Sequence, residues 1–213
     1  HNDSRVYTLE AQAIFGELYW DVTDALRLTF GGRYSEEEKE GRQRTIYVTF
    51  ADLPPIQPNN AFFEPKYEQE EFTWKVNATY DFSDDVMMYA TVSSSFKSGG
   101  FNPISDNSPL VNPALGGNAN NVDFDPEFID AFELGLKTTL LDGAMQINAA
   151  AFYYDYKDMQ LSKIVNTTSL NQNADAEITG LELDLLWALT PNLIFSLSGG
   201  WLDSESGDFF TVD

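Results

Sequence analysis

The chain has 213 residues, no cysteine and a single histidine, His1, at its very start, so disulfide frameworks and thiolate sites are excluded and histidine catalysis has almost no raw material. A net charge of −22, from 34 acidic and 12 basic residues, argues against a polyanionic partner, so no nucleic acid is expected. An aromatic content of 14% is too high for a disordered acidic tail.

No apolar run reaches the roughly 18 residues of a transmembrane helix, which leaves open a barrel whose strands alternate. The opening HNDSRVYTLE is polar throughout and holds no signal peptide, so a mature chain or a fragment is expected.

From Gln12 to Val22, apolar or small residues (Ile14, Gly16, Leu18, Trp20) alternate with Glu17 and Asp21, the mark of a half-buried strand. After a polar turn at Thr23-Asp24, Leu26, Leu28, Phe30 and Tyr34 line one face while Arg27, Thr29, Arg33 and Ser35 line the other. Together these runs predict a β-hairpin. Residues 36–71 read as a long loop, with an acidic run (Glu36, Glu37, Glu38, Glu40), a basic trio (Lys39, Arg42, Arg44), a short apolar piece at 46–50 and three prolines. Phe72 restarts the alternation: Phe72, Trp74, Val76, Ala78, Tyr80 and Phe82 oppose Thr73, Lys75, Asn77, Thr79 and Asp81. A turn at Ser83–Asp85 leads to a strand from Val86 to Lys97, with Val86, Met88, Ala90, Val92 and Phe96 opposite Tyr89, Thr91, Ser93 and Ser95. Its length suits a tilted strand crossing a bilayer, about 9–11 residues.

Residues 98–126 form a second long loop rich in Gly, Pro and Asn. Strands follow at 128–139 and from Met145, joined by the hairpin turn Asp142-Gly143, then a third long connection at 157–177. A last pair at 178–189 and 193–202 is joined by Thr190-Pro191-Asn192. The eight predicted strands therefore alternate short and long connections, which places all short turns at one end and all long loops at the other. Aromatic residues cluster near both ends. Trp20, Tyr80, Phe82 and Trp187 lie by the short turns, and Tyr34, Phe72, Trp74, Phe96, Phe152, Tyr154, Tyr156 and Trp201 lie by the long loops, as in two interfacial girdles. The fold class expected is all-β: about eight strands of an antiparallel up-and-down transmembrane β-barrel.

Four stretches carry a family resemblance. YATVSSSFKSGGFN, DVTDALRLTFGGRY, PEFIDAFELGLKTTLLDGAMQINAAAFYYDYKDMQ and ITGLELDLLWALTPNLIFSLSGGW resemble, in the family's order, the strand words of TonB-dependent outer-membrane receptors. The resemblance spans nearly the whole chain. It implies a piece of a larger barrel of about 22 strands with a plugged lumen, in the outer membrane of a Gram-negative bacterium. It also implies active import of a scarce ligand, such as a ferric siderophore or an oligosaccharide. The expected partners are outer-membrane lipid, the small-molecule or glycan ligand, and the TonB complex. The family's plug domain, TonB box and C-terminal aromatic strand have no counterpart in these residues, so TonB would be reached through an N-terminal part outside the chain. An internal fragment is expected, and its open edges could not be stable alone.

No nucleophile–base pair, phosphate loop or paired-carboxylate site is present, so an enzyme is not expected, nor any cofactor or metal. Glu36–Glu40 has carboxylates for a hard cation but reads more simply as a solvated run. Arg27, Arg33, Lys75, Lys97 and Lys137 face the expected lumen, where pairing with Glu17, Asp81, Glu133, Glu182 or Asp184 competes with attraction of an anionic chelate. In the long loops, Phe62-Phe63 and Phe101-Asn102 either stack on a ligand or pack the loops together. The candidate ligand-binding set is Arg33, Phe62, Phe63, Lys97, Phe101 and Asn102. Two other readings remain: a complete eight-stranded barrel with a structural or adhesive role, and a soluble acidic carbohydrate-binding sandwich.

Overall fold

The computed structural model describes residues 2–45, 62–104, 108–165 and 168–207. Its main sheet has eight strands: β1 (Asn2–Asp21), β2 (Leu26–Thr45), β3 (Lys66–Ser83), β4 (Val86–Lys97), β7 (Glu127–Leu140), β8 (Met145–Val165), β9 (Thr168–Thr190) and β10 (Leu193–Ser206). Between β4 and β7, the two-residue strands β5 (Gly100–Phe101) and β6 (Asp123–Phe124) pair with each other. The main sheet runs β1-β2-β3-β4-β7-β8-β9-β10, every neighbouring pair antiparallel. Each strand pairs with the next long one in sequence, which is an up-and-down meander. β1 and β10 stand at opposite edges and make no pair among the described residues, so the eight strands form an open wall and not a closed barrel.

Through its middle the ladder carries the predicted alternation from strand to strand, its register shifts lying toward strand ends at Ser4/Val6, Asp81/Ser83, Tyr156/Met159 and Leu193/Ile194. Leu28 sits opposite Ala78, Ala78 opposite Ala90, Ala90 opposite Leu134, and Leu134 opposite Ala151. One residue on, Thr29, Asn77, Thr91, Glu133 and Phe152 make the corresponding row of the other face. A one-residue slip anywhere would mix the two rows. The apolar face is bare: Phe72 is 61% and Leu181 53% exposed. A patch of that extent is not kept in water. In β2 the apolar row runs from Leu26 to Tyr34, a length within the roughly 9–11 residues of a tilted strand that crosses a bilayer.

The short turns are built as hairpins require. Thr23 Oγ1 accepts from Ala25 N (3.2 Å) and Leu26 N (3.0 Å). Between β7 and β8 the backbone takes positive φ at Leu141, Asp142 and Gly143, the last at 88°. Glycine carries such a φ at no steric cost and Asp tolerates it, which is why Asp-Gly marks this turn.

Two expectations need revision. First, the strands run well past the apolar alternation at the long-loop end: β1 starts at Asn2, β2 continues to Thr45, and β8 and β9 meet at Val165 and Thr168. Of the loop expected over 36–71, residues 36–45 and 66–71 are strand, and most of 157–177 is hairpin. Where both faces of a strand meet water, the alternation that reveals it disappears. Charged pairs replace it: Lys66 Nζ lies 2.9 Å from Glu38 across the β2–β3 ladder and 2.7 Å from Glu68 on its own strand, and Arg42 Nε of β2 lies 3.1 Å from Glu64 just before β3. Second, Phe152 and Tyr154 do not belong to a lipid girdle. They share the polar face with Glu133 and Glu182, stacked with centroids 4.8 Å apart, while Tyr153 occupies the apolar face beside Phe132. The apolar piece at 46–50, the three prolines that follow it, and residues 209–213 lie outside the described residues.

Candidate functional site

The polar face is a wall whose charges are largely matched within it. Glu17 and Lys75 reach toward each other over Gly31, their shared neighbour in the ladder, and form an ion pair of 2.8 Å. Arg27 grips Asp21 with two nitrogens, Nε to Oδ1 at 2.6 Å and Nη2 to Oδ2 at 3.2 Å. Tyr89 donates to Glu133 (2.5 Å) while the Lys137 ammonium lies 5.6 Å above the Tyr89 ring. Arg33 donates to Ser35 Oγ (2.9 Å) and lies over Phe15. Lys97 faces Glu127 across the β4–β7 ladder and is exposed.

At the long-loop end this face is covered. Lys39, Gln43 and Gln69 project from β2 and β3 on the polar side, and all three reach the connection between β4 and β7. Lys39 Nζ donates to Ser98 Oγ (2.7 Å) and to the Gly99 carbonyl (2.6 Å). Gln43 Nε2 donates to the Asn102 and Ile104 carbonyls, both at 2.8 Å. Gly99 N donates to Gln69 Oε1 (3.3 Å). From the other side, Gln160 Nε2 donates to the Ser98 carbonyl (3.0 Å), and Asn173 clasps the Asp125 backbone, donating to its carbonyl and accepting from its N–H, both at 2.9 Å. Under this cover a small apolar core forms from Ile104, Val111 and Leu170, backed by Leu110 and Val122.

Burial sets the electrostatics here. Desolvation holds the Lys39 ammonium below the usual lysine range, with Glu37 pulling it back up. Asp123 and Asp158 are pushed above the usual carboxylate range, first by burial and then by Asp125. On the open β2–β3 extension, Lys66 instead holds Glu38 below that range.

Of the six candidate residues, three gather at one point. The Asn102 backbone is held by Gln43; Phe63 pairs with the Gln43 backbone in both directions (2.9 and 2.7 Å); and the Phe101 ring lies 5.8 Å from Tyr7 and covers Gly41, where an added Cβ would come 2.6 Å from it. Asn102 is only 1% exposed. Phe62 lies beside this group, under the guanidinium groups of Arg42 and Arg44 at 4.4 and 4.7 Å. Arg33 sits deeper in the wall and Lys97 at the start of the covering connection. The acidic run is divided by its strand: Glu36, Glu38 and Glu40 point to the apolar side, Glu37 to the polar side. The amides Gln43, Gln160 and Asn173 have no signal in the sequence beyond an Asn-rich stretch near 171–173.

A family model described as "TonB dependent receptor-like, beta-barrel" matches residues 1–212. The chain belongs to the TonB-dependent receptor family. It is 27% identical over 200 residues to the pesticin receptor of Yersinia pestis, covering 93% of this chain and 26% of that protein. The same fold is seen in the ferric yersiniabactin uptake receptor FyuA from Yersinia pestis, with a TM-score of 0.72 at 22% identity, over 94% of this chain and 28% of that one. It is seen again in the siderophore receptor PiuA from Acinetobacter baumannii, with a TM-score of 0.66 at 24% identity, over 93% and 26%. The chain thus spans about a quarter of the length of the curated relatives it matches. TonB-dependent receptors are outer-membrane proteins, and transporters rather than enzymes. This eight-stranded wall corresponds to part of such a receptor's barrel, with one apolar and one charged face.

Proposed function

We propose that these strands form one part of the wall of an energy-coupled importer whose ligand is a ferric siderophore. The observation that carries this reading is the strict sorting of the sheet, apolar outward and charged inward, with the β4–β7 connection folded onto the charged side at the long-loop end. That arrangement suits a lumen entered from the long-loop side, which on this reading faces outside the cell. Lipid contacts the apolar face. A plug and a TonB-binding segment would be supplied by parts of the polypeptide outside these residues. The siderophore class rests on the pesticin and siderophore receptors among the relatives. Arg33, Phe62, Phe63, Lys97 and Phe101 are the residues we assign to the ligand's path, with Asn102 holding the loop that presents Phe101.

The test is deletion of the full-length gene, followed by growth under iron limitation with ferric yersiniabactin or a ferric catecholate as the iron source. Loss of growth on one of them, restored by the intact gene and dependent on TonB, is the expected result. Unchanged growth on every iron source, with lost growth on an oligosaccharide, would replace the ligand class. Release of the full-length protein from cells without detergent would overturn the membrane reading altogether.

A further inference from the structure

Asn102 touches two strands that the sheet keeps far apart. Its carbonyl accepts from Gln43 of β2, and its side chain pairs with the Asn171 backbone of β9, Nδ2 donating to the carbonyl (3.2 Å) and Oδ1 accepting from the N–H (2.7 Å). β2 and β9 are five positions apart in the sheet, about 24 Å if it lay flat at roughly 4.8 Å per strand. One asparagine reaches both only because the two extensions converge over the lumen. We propose that residues 98–104 and 108–126 form a fixed strap across the barrel mouth in the ligand-free receptor, with Asn102 as its positioning residue.

Three observations support a bar that stays in place. Every polar group of Asn102 is partnered: besides the bonds above, Nδ2 donates to the Asn121 carbonyl (2.7 Å) and the backbone N–H to the Val122 carbonyl (2.6 Å), all at 1% exposure. The bonds to Asn121 and Val122 lie within the strap and fix Asn102 in it, while the three with Gln43 and Asn171 cross to the wall and would all break if the strap swung away. The clasps from Gln43, Gln160 and Asn173 end on backbone atoms of the strap, so its path does not depend on which side chains it carries. Finally, Ile104 and Val111 of the strap share a sealed core with Leu170 of the β8–β9 hairpin. Material passing into the lumen goes around this bar, and the strap presents its exposed side chains on a preformed surface.

The test uses the full-length receptor in outer-membrane vesicles, with nitroxide labels introduced by Leu115→Cys on the strap and Glu68→Cys on the wall. Both positions are exposed. Pulsed electron resonance should give one narrow distance population. Asn102→Ala and Gln43→Ala should each broaden it while thermal unfolding of the barrel stays where it was. Two or more populations in the otherwise unaltered receptor would overturn the fixed strap. Narrow distributions in both variants, or a broadening that comes only with a lower barrel melting temperature, would overturn the positioning role of Asn102.

Discussion

Tyr89 lies across Gly135, its direct partner on the next strand: a Cβ added at Gly135 would sit 2.2 Å from the ring. Phe152 covers Gly180 in the same way, also at 2.2 Å. In both pairs the glycine is the notch that lets an aromatic ring lie down along the luminal wall instead of standing into the lumen. The flattened Tyr89 is thereby delivered to Glu133. Gly135→Ala should force the ring upright and break that bond, at a cost of about 1–3 kcal/mol for an overpacked site. Thermal unfolding of the full receptor in detergent measures it, and Gly135→Ala combined with Tyr89→Ala should recover part of the loss. If the double variant is no more stable than Gly135→Ala alone, the ring is not what the glycine accommodates.

The two ends of the pH scale should act oppositely on two parts of the mouth. Glu38 is held below its ordinary value by Lys66, so its contribution is present above the unfolded carboxylate pKa and fades as pH falls through the lower folded value. Asp123 and Asp158 are held above theirs by burial and by Asp125. Their folded state favours the protonated form, so that contribution is full below the unfolded pKa and fades as pH rises through the folded value. With the pH dependence of intrinsic exchange divided out, amides around 123–125 and 158 should therefore be more strongly protected at mildly acidic than at neutral pH. At still lower pH the β2–β3 extension should lose protection. A uniform change across both regions would contradict the assignment of causes.

How far the sequence could be read follows from where water lies. Between Leu26 and Tyr34, or Phe72 and Phe82, an apolar row on one face and a polar row on the other give a period of two, and strands, register and turns follow from it. Past Tyr34 the residues Glu36 to Thr45 meet a polar environment on both faces, so a regular strand there looks like a charged loop. Phe152 misled for a different reason: an aromatic near a strand end fits a girdle, and only its ladder partners Glu133 and Gly180 put it inside. The sequence left Phe101-Asn102 balanced between ligand stacking and loop anchoring. Asn102 works through the backbone of Asn121, Val122 and Asn171 and through the Gln43 side chain, and no spacing in the sequence records such contacts.

Lys39 should prove more demanding than its position in a charged run implies. Its ammonium is held between the Ser98 hydroxyl and the Gly99 carbonyl, with the Tyr67 ring 5.7 Å away. Lys39→Met keeps the stem and removes the donors, leaving a buried carbonyl unsatisfied at a cost of about 1–3 kcal/mol. The effect should be local: amides of residues 98–102 should exchange faster, while those of β7 in the membrane stay protected. Lys66→Met, on the open side of the same extension, should change little, since water and salt screen its exposed ion pairs. Equal protection in both variants would show that the strap does not depend on Lys39.

The assignment of faces has its sharpest test in two neighbouring residues at the middle of β4. Val92 lies in the apolar row with Val76 and Phe132, and Thr91 in the polar row with Asn77 and Glu133. An arginine on the lipid side near the bilayer midplane costs about 2–4 kcal/mol, whereas a lumen-facing one is solvated. In the full-length receptor refolded into lipid vesicles from urea, Val92→Arg should lower the folding free energy by that amount and Thr91→Arg by much less. The order should survive at high salt, because the difference is one of desolvation and not of screened surface charge. Equal penalties would mean that both faces see the same medium. A larger penalty at Thr91 would turn the wall inside out, placing Leu28, Trp74 and Val92 toward an interior and Arg27 and Lys75 toward lipid.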